Sequence, residues 1–169
     1  MRGYSALRRG RCSEPGVTYF LTICTANGGV GLTEDRTATA IYHKLNGLVS
    51  DGSWILRAAT VMPDHIHLLV RLGNRLALSQ RVGRLKSQTK PALVNVRVVW
   101  QETFHDHKLA PDEPVQSVIH YLFMNPYRAR LIPTDAAWPW FRLGEEEAQW
   151  LAPVYAENVA IPEWLERGG

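Results

Sequence analysis

The sequence of 169 residues predicts an α+β domain, in which an antiparallel sheet carries helices on one face. Several short runs are rich in β-branched and aromatic residues and end at turn residues, which is typical of strands. Between them lie segments whose apolar residues recur at helical spacing. Two of the strand-like runs are separated only by Pro63-Asp64, so they must form an antiparallel hairpin.

The first half of the chain contains three predicted strands and one helix. Residues 16–25 form the first strand, which ends at an Ala-Asn-Gly-Gly turn signal. A helix follows over residues 33–50, with Thr33 as its N-cap. Residues 54–62 and 65–72 are the two strands of the hairpin.

The second half contains two helices and a weaker strand. A helical pattern covers residues 79–94, and the mixed segment 98–109 contains an edge strand. Asp112-Glu113-Pro114 is a strong helix start, with carboxylates in the first turn. Because proline disfavours helical geometry at the residue before it, a break or kink is expected at Pro126, with a short continuation over residues 127–132.

The predicted order of elements is β-α-β-β-α-β-α. The first six match a ferredoxin-like split βαβ arrangement, with both main helices on one face of the sheet and the other face free for ligand. The last helix carries Tyr121. We therefore expect one domain over residues 1–132, followed by an aromatic and acidic C-terminal tail over residues 133–169.

The charge is distributed unevenly between these two parts. The net charge is +3, but residues 1–132 carry +8 and residues 133–169 carry −5. A basic body suits a polyanion such as nucleic acid, and the acidic tail could cover that surface when no ligand is present. A solvated charge bias without any partner explains the same numbers equally well.

The composition indicates a cytoplasmic protein. No apolar stretch reaches the roughly 18 residues of a membrane span, and the basic N-terminus lacks the apolar run of a signal peptide. Cys12 and Cys24 have neither metal-site nor disulfide-framework spacing. Cys24 lies in an apolar run, so we expect a buried thiol in a reducing compartment.

The motif His65-Ile66-His67 is the first candidate for chemistry. Side chains alternate along a strand, so the two imidazoles point to one face and Ile66 points to the other. Two imidazoles on an exposed face make a half-site for a divalent metal ion. Taken alone, the motif is more commonly explained by two histidines that are solvated or bonded to the backbone.

Tyr121 and Asn125 are the second candidate. They are four residues apart and are therefore neighbours on one helix face, where a phenol and an amide could supply a nucleophile and a metal ligand. Taken alone, they are more commonly explained as an amphipathic core residue and a helix stop before Pro126.

The ordered set of motifs resembles the single-tyrosine HUH transposase family, and most closely its REP-associated branch. The set consists of the first strand, the segment Pro63 to His67, the segment Trp100 to His107 and the segment Tyr121 to Ala129. The similarity covers roughly residues 8–141. Leu122-Phe123 replaces the Ile-His of the family's usual tyrosine motif, so any role of that histidine is absent.

The resemblance implies a metal-dependent single-stranded DNA endonuclease and strand transferase that works through a 5′-phosphotyrosine. It implies His65, His67 and Asn125 as ligands of Mg²⁺ or Mn²⁺ and Tyr121 as the nucleophile. Its DNA partner would carry a hairpin of the REP or element-end type, and the protein would act as a monomer or homodimer. A non-cleaving nucleic-acid-binding protein of the same fold and a metal-dependent hydrolase are the alternatives.

The basic side chains predict where DNA would bind. The helical pattern over residues 79–94 has a polar face that includes Arg81 and Arg84. We expect His105 and His107 to have a structural or DNA-contacting role, and the tail tryptophans to pack. The predicted DNA-binding residues are Arg8, Arg9, Arg11, Arg81, Arg84, Lys86, Lys90, Arg128 and Arg130.

Overall fold

The computed structural model describes residues 13–156, and their side chains as far as Leu151. The predicted DNA-binding residues Arg8, Arg9 and Arg11, as well as Cys12, lie outside this part. No helix within it is long and apolar enough to cross a membrane.

Five antiparallel strands form one sheet in the order β4-β1-β3-β2-β5. The first four have the order of a ferredoxin-like sheet, which confirms the predicted fold. β5 is an additional edge strand that the sequence did not predict. The strands are β1 (Thr18–Cys24), β2 (Trp54–Val61), β3 (His65–Leu72), β4 (His105–Lys108) and β5 (Phe141–Leu143).

Four helices accompany the sheet. They are α1 (Asp35–Ser50), α2 (Leu78–Asn95), α3 (Val115–Arg128) and α4 (Glu145–Ala156). The expected N-cap was wrong, because α1 begins after Glu34 rather than at Thr33.

The larger core lies between the sheet and the pair α1 and α2. Ile66, Leu68 and Val70 of β3 point into it and meet leucines such as Leu45 and Leu85 from the two helices. Burying each such aliphatic side chain contributes about 1.5–3 kcal/mol. Since side chains alternate on β3, this core forces the residues at odd positions, His65 and His67 included, to the opposite face.

The opposite face is partly covered instead of being free for ligand. Leu69 and Ala58 on the sheet pack against Ile119 and Leu122 of α3 in a second apolar cluster, and Leu151 of α4 joins its edge. The sheet face that carries the histidines therefore has α3 laid across it.

The helix α3 continues through Pro126, so the expected break there was wrong. Leu122, Met124 and Pro126 are all buried. A proline removes one backbone hydrogen bond from the helix. The buried contacts of the last turns offset that loss, and the helix ends only at Ala129.

The segment after residue 133 is attached to the body of the protein at several points. β5 pairs with β2, and the indole of Trp138 donates a hydrogen bond to the Val61 carbonyl at 3.1 Å. The hydroxyl of Tyr42 on α1 donates to the Trp140 carbonyl at 2.6 Å. Trp150 departs from the expected packing, because 80% of it is exposed.

Candidate active site

The two histidines of the H-x-H motif meet at the start of β3. Nε2 of His65 lies 3.1 Å from Nε2 of His67. His67 is buried, with only 5% of it exposed, whereas His65 is partly exposed. Strand alternation therefore does what the sequence predicted and brings both imidazoles to one face.

The other nitrogen of each ring also has a partner. Nδ1 of His65 lies 2.7 Å from a carboxylate oxygen of Asp64, and Nδ1 of His67 lies 2.9 Å from the hydroxyl of Thr22. Thr22 is the β1 residue opposite His67 in the β1–β3 register. Each ring is thus held at its Nδ1 atom, on the side away from the neighbouring imidazole.

The spacing of the two Nε2 atoms fits a shared metal ion. An ion about 2.1 Å from each nitrogen, with a near-right angle between the bonds, places the nitrogens about 3.0 Å apart. Burial, followed by the neighbouring His65, lowers the pKa of His67 to about 3. A neutral imidazole keeps a lone pair on one nitrogen, which a metal ligand needs.

A third ligand would have to be something other than His, Cys, Asp or Glu. No group of three such side chains is arranged around a possible metal position among the described residues. Asn125 is the residue of another type that the sequence predicted for this role. It lies one turn after Tyr121 on α3, it is partly buried, and its side chain makes no hydrogen bond within the described part of the chain.

Tyr121 lies beside the histidine pair. Its ring centroid is 5.8 Å from that of His67 and 5.9 Å from that of Phe20, whose ring meets it edge-on. Phe20 in turn stacks on His67 at 5.2 Å. Tyr121 is 41% exposed, so its phenol is open to a ligand from solvent. Helix α3 therefore brings together the tyrosine and the histidines that lie about fifty residues apart in sequence.

His107 connects β4 to the start of α3. Its Nε2 lies 2.8 Å from the Glu113 carboxylate, which also accepts a hydrogen bond from the backbone of Ala110. In the sheet, His107 and His105 lie opposite Phe20 and Thr22, on the same face as the histidine pair. The expected structural role suits His107, while His105 is exposed at the sheet edge.

Arg81 was wrongly predicted as a DNA ligand, because its side chain is completely buried. It precedes Leu85 by four residues, which places the two about 40° apart around the helix and turns both inward. One guanidinium nitrogen donates to the Gly73 carbonyl at 2.9 Å. With no exposed surface, the guanidinium group is not available to a phosphate.

The remaining predicted cations divide between the two faces of the sheet. Lys86 donates to the carbonyls of residues 101, 102 and 103, so its ammonium group supports that loop. Arg84 and Lys90 are exposed on α2, on the face away from Tyr121. Arg128 and Arg130 are exposed on the tyrosine side, and the Arg128 guanidinium carbon is 5.9 Å from the Tyr121 ring centroid.

Three neighbours of the site were missed by the sequence analysis: Phe20, Thr22 and Asp64. Phe20 and Thr22 had been assigned only to the first strand. Their alternation with Leu21 and Ile23 was a visible signal that they share a face. The residues of β3 that they face depend on the pairing register between β1 and β3, which cannot be read from the sequence.

A family model for IS200-like transposases matches residues 16–109, which is more than half of the chain. The chain belongs to the IS200-like transposase family. This confirms the family prediction, and it makes the protein a DNA-processing enzyme of a class that is generally metal-dependent. The match includes both histidines of the transposase, but Tyr121 and Asn125 lie beyond it.

A solved structure of a REP-associated transposase shares the fold of this transposase. A REP-associated tyrosine transposase bound to a REP hairpin has a TM-score of 0.66, with 23% identity over 83% of this chain and 82% of that chain. A Deinococcus radiodurans structure described as a transposase is 19% identical over 69% of this chain and 95% of that chain, with a TM-score of 0.49. No curated protein matches the sequence.

One structural neighbour belongs to a different class of enzyme. The tRNA(His) guanylyltransferase of Saccharomyces cerevisiae has a TM-score of 0.50 and 8% identity, over 78% of this chain and 66% of that chain. Such a likeness concerns the ferredoxin-like sheet alone, since function depends on the site that a fold carries.

Proposed function

We propose that this transposase is a metal-dependent single-stranded DNA endonuclease and strand transferase that acts through a 5′-phosphotyrosine. The observation that carries the proposal is the placement of Tyr121, whose ring lies 5.8 Å from that of His67, next to two Nε2 atoms 3.1 Å apart. A nucleophile and a metal half-site are the two parts that phosphoryl transfer to tyrosine requires.

In the proposed reaction, the Tyr121 phenol forms one bond to the scissile phosphorus and another bond breaks. After losing its proton, the Tyr121 oxygen attacks the scissile phosphorus, and the bond from phosphorus to the 3′ oxygen breaks. The leaving oxygen takes up a proton and becomes a free 3′-OH, while the 5′ phosphate remains on the tyrosine. Attack by a 3′-OH reverses these steps and joins strands without an external energy source.

His65, His67 and Asn125 are the residues that would hold Mg²⁺ or Mn²⁺. Such an ion, when bound, orients the phosphate and offsets the charge that develops on its oxygens. The two imidazoles are directed at one position by their outer hydrogen bonds, so the half-site is organised before any ligand arrives. Nitrogen ligands suit Mn²⁺ better than Mg²⁺.

The DNA would be a single strand next to a hairpin. The structurally similar REP-associated transposase was solved with a REP hairpin, which supports this choice of substrate. Arg128 and Arg130 lie on the same side of the sheet as Tyr121 and would contact backbone phosphates there.

The test is the formation of a covalent adduct. The protein is incubated with labelled single-stranded hairpin DNA and Mn²⁺, and denaturing electrophoresis then detects protein-bound label. Tyr121→Phe should abolish the adduct and keep hairpin binding. Tyr127→Phe, six residues further along the same helix, is the matched control and should keep both.

Three outcomes would contradict the proposal. An undiminished adduct in Tyr121→Phe would remove that residue as the nucleophile. Tight hairpin binding without cleavage under any divalent metal would favour the non-cleaving binding protein. Cleavage without any adduct would favour a hydrolase.

A further inference from the structure

Two side chains outside the predicted ligand set lie within hydrogen-bonding distance of the Nδ1 atoms of the two imidazoles. We propose that Asp64 and Thr22 are positioning residues that fix His65 and His67 for a divalent cation at their Nε2 atoms. The inference rests on the proposed function, since it concerns the same metal half-site, but it makes a separate claim about how that half-site is built.

The argument begins with the ring hydrogens. An imidazole that binds a metal through Nε2 carries its hydrogen on Nδ1. That N–H needs an acceptor, and metal-binding histidines usually donate it to a carboxylate or another oxygen. The Asp64 carboxylate lies 2.7 Å from Nδ1 of His65, and the Thr22 hydroxyl lies 2.9 Å from Nδ1 of His67.

Asp64 is held in place by its own backbone. Its carbonyl accepts a hydrogen bond from the Thr25 amide at 2.8 Å and lies 2.9 Å from the Thr25 hydroxyl, which is closer to the Gly29 carbonyl at 2.6 Å. Thr25 is itself 97% buried, which fixes it against the end of the hairpin. The tight turn between β2 and β3 therefore presents the carboxylate to His65 in a defined position.

Thr22 is positioned by the sheet register. It lies opposite His67 across the β1–β3 ladder, where facing side chains on one side of a sheet are about 5 Å apart at Cβ. Phe20, two residues earlier on the same face, stacks on the His67 ring at an interplanar angle of 28°. The Leu21 backbone is a further hydrogen-bond partner of the His67 imidazole. His67 is therefore held by the Thr22 hydroxyl and the Leu21 backbone, and through its face by the Phe20 ring.

Asp64 carries a charge and Thr22 does not, so we expect different effects when each is substituted. A carboxylate increases the donor strength of its imidazole as well as orienting it, whereas a hydroxyl only orients. The Asp64 side chain is 44% exposed, so solvent reduces its charge effect. Asp64→Asn keeps an oxygen acceptor and removes the charge, while Asp64→Ala removes both.

The test measures Mn²⁺ binding by the full chain through the electron paramagnetic resonance of the free ion, without DNA or turnover. Asp64→Ala and Thr22→Val should weaken the Mn²⁺ affinity by about 10- to 100-fold. Asp64→Asn should lie between Asp64→Ala and the unchanged protein. Thr22→Ser keeps the hydroxyl and should restore most of the affinity. Asp112→Asn and Thr39→Val, on exposed sites away from the histidines, are the matched controls.

The outcomes separate this inference from the proposed function. Unchanged Mn²⁺ affinity in Asp64→Ala and Thr22→Val, with normal adduct formation, would overturn the positioning roles and leave the proposed function standing. Weakened affinity in these variants, without an adduct from the unchanged protein, would support the positioning roles and overturn the proposed function. Absence of Mn²⁺ binding by the unchanged protein would overturn the positioning roles as stated. Thermal unfolding of each variant checks that the fold is kept.

Discussion

Phe20 is the side chain that links the proposed nucleophile to the metal half-site. It stacks on His67 at 5.2 Å and meets the edge of Tyr121 at 5.9 Å. Each aromatic pair of this kind contributes about 0.5–1.5 kcal/mol beyond the area it buries. The Phe20 ring therefore contacts both side chains, although it has no reactive group of its own.

Replacing this ring should affect the rate of cleavage more than DNA binding. In Phe20→Leu the Tyr121 ring loses its edge contact, and a displacement of about 1 Å reduces such a rate by as much as 100-fold. Two quantities are measured for each variant: the single-turnover rate of adduct formation and the affinity for hairpin DNA. Phe20→Tyr keeps the ring and should retain most of the rate. Equal cleavage rates in Phe20→Leu and the unchanged protein would show that Phe20 does not position Tyr121.

Exposed arginines lie on both sides of the sheet, and substituting one on each side tests which side binds DNA. Arg128 lies beside Tyr121, whereas Arg84 lies on α2 beyond the sheet and pairs with Asp51. Arg128→Gln should weaken hairpin binding and reduce the slope of log affinity against log salt by about 1, because one phosphate contact is lost. Arg84→Gln should leave the slope unchanged. The opposite result would place the DNA on the face formed by α1 and α2.

At the scale of elements, the register between β1 and β3 assembles the half-site. It places Thr22 opposite His67, and it places Cys24 opposite His65 on the same face. Cys24 is partly exposed rather than buried as expected. A shift of one residue would turn Thr22 away from His67, so the register is as important as the residues.

The helix α3 shows how packing outweighs a local preference. The residue before a proline disfavours helical geometry, and this predicted a break at Pro126. The buried contacts of Met124 and Pro126 keep the helix continuous across that point. The continuity matters for the site because Tyr121 and Asn125 stay one turn apart on the same rigid element.

At the scale of the whole molecule, the acidic segment after residue 133 lies on the basic body. Glu147 pairs with Arg57 at 2.6 Å, and Glu146 pairs with Arg71 at 2.9 Å. Arg71 is on β3, on the same face as His65 and His67. The charge separation seen in the sequence thus becomes direct contact between the two parts of the chain.

This contact predicts that the segment competes with DNA for the basic surface. Removing everything after residue 132 would also remove β5 and the cover of the second apolar cluster, so a point substitution is the sharper test. Glu146→Gln frees Arg71 and should raise hairpin affinity, most strongly at low salt. Glu34→Gln changes the net charge equally from an exposed site at the start of α1 and is the control. Equal effects of the two variants would show that only net charge matters.

The sequence determined the order of the elements from β1 to α3, the fold class and the common face of the two histidines. These depend on local periodicity, which strands and helices impose directly on the chain. The family resemblance then predicted roles for Tyr121 and Asn125, which periodicity alone could not distinguish from a core residue and a helix stop.

Only the tertiary structure decided how these parts meet. It buried Arg81, laid α3 beside His67, added β5 to the sheet, and placed Thr22 and Asp64 behind the imidazoles. The physical reason is that register, helix placement and burial depend on contacts between segments distant in sequence. The motif supplies the two imidazoles of the proposed metal site, and the packing of β1, β3 and α3 sets their surroundings.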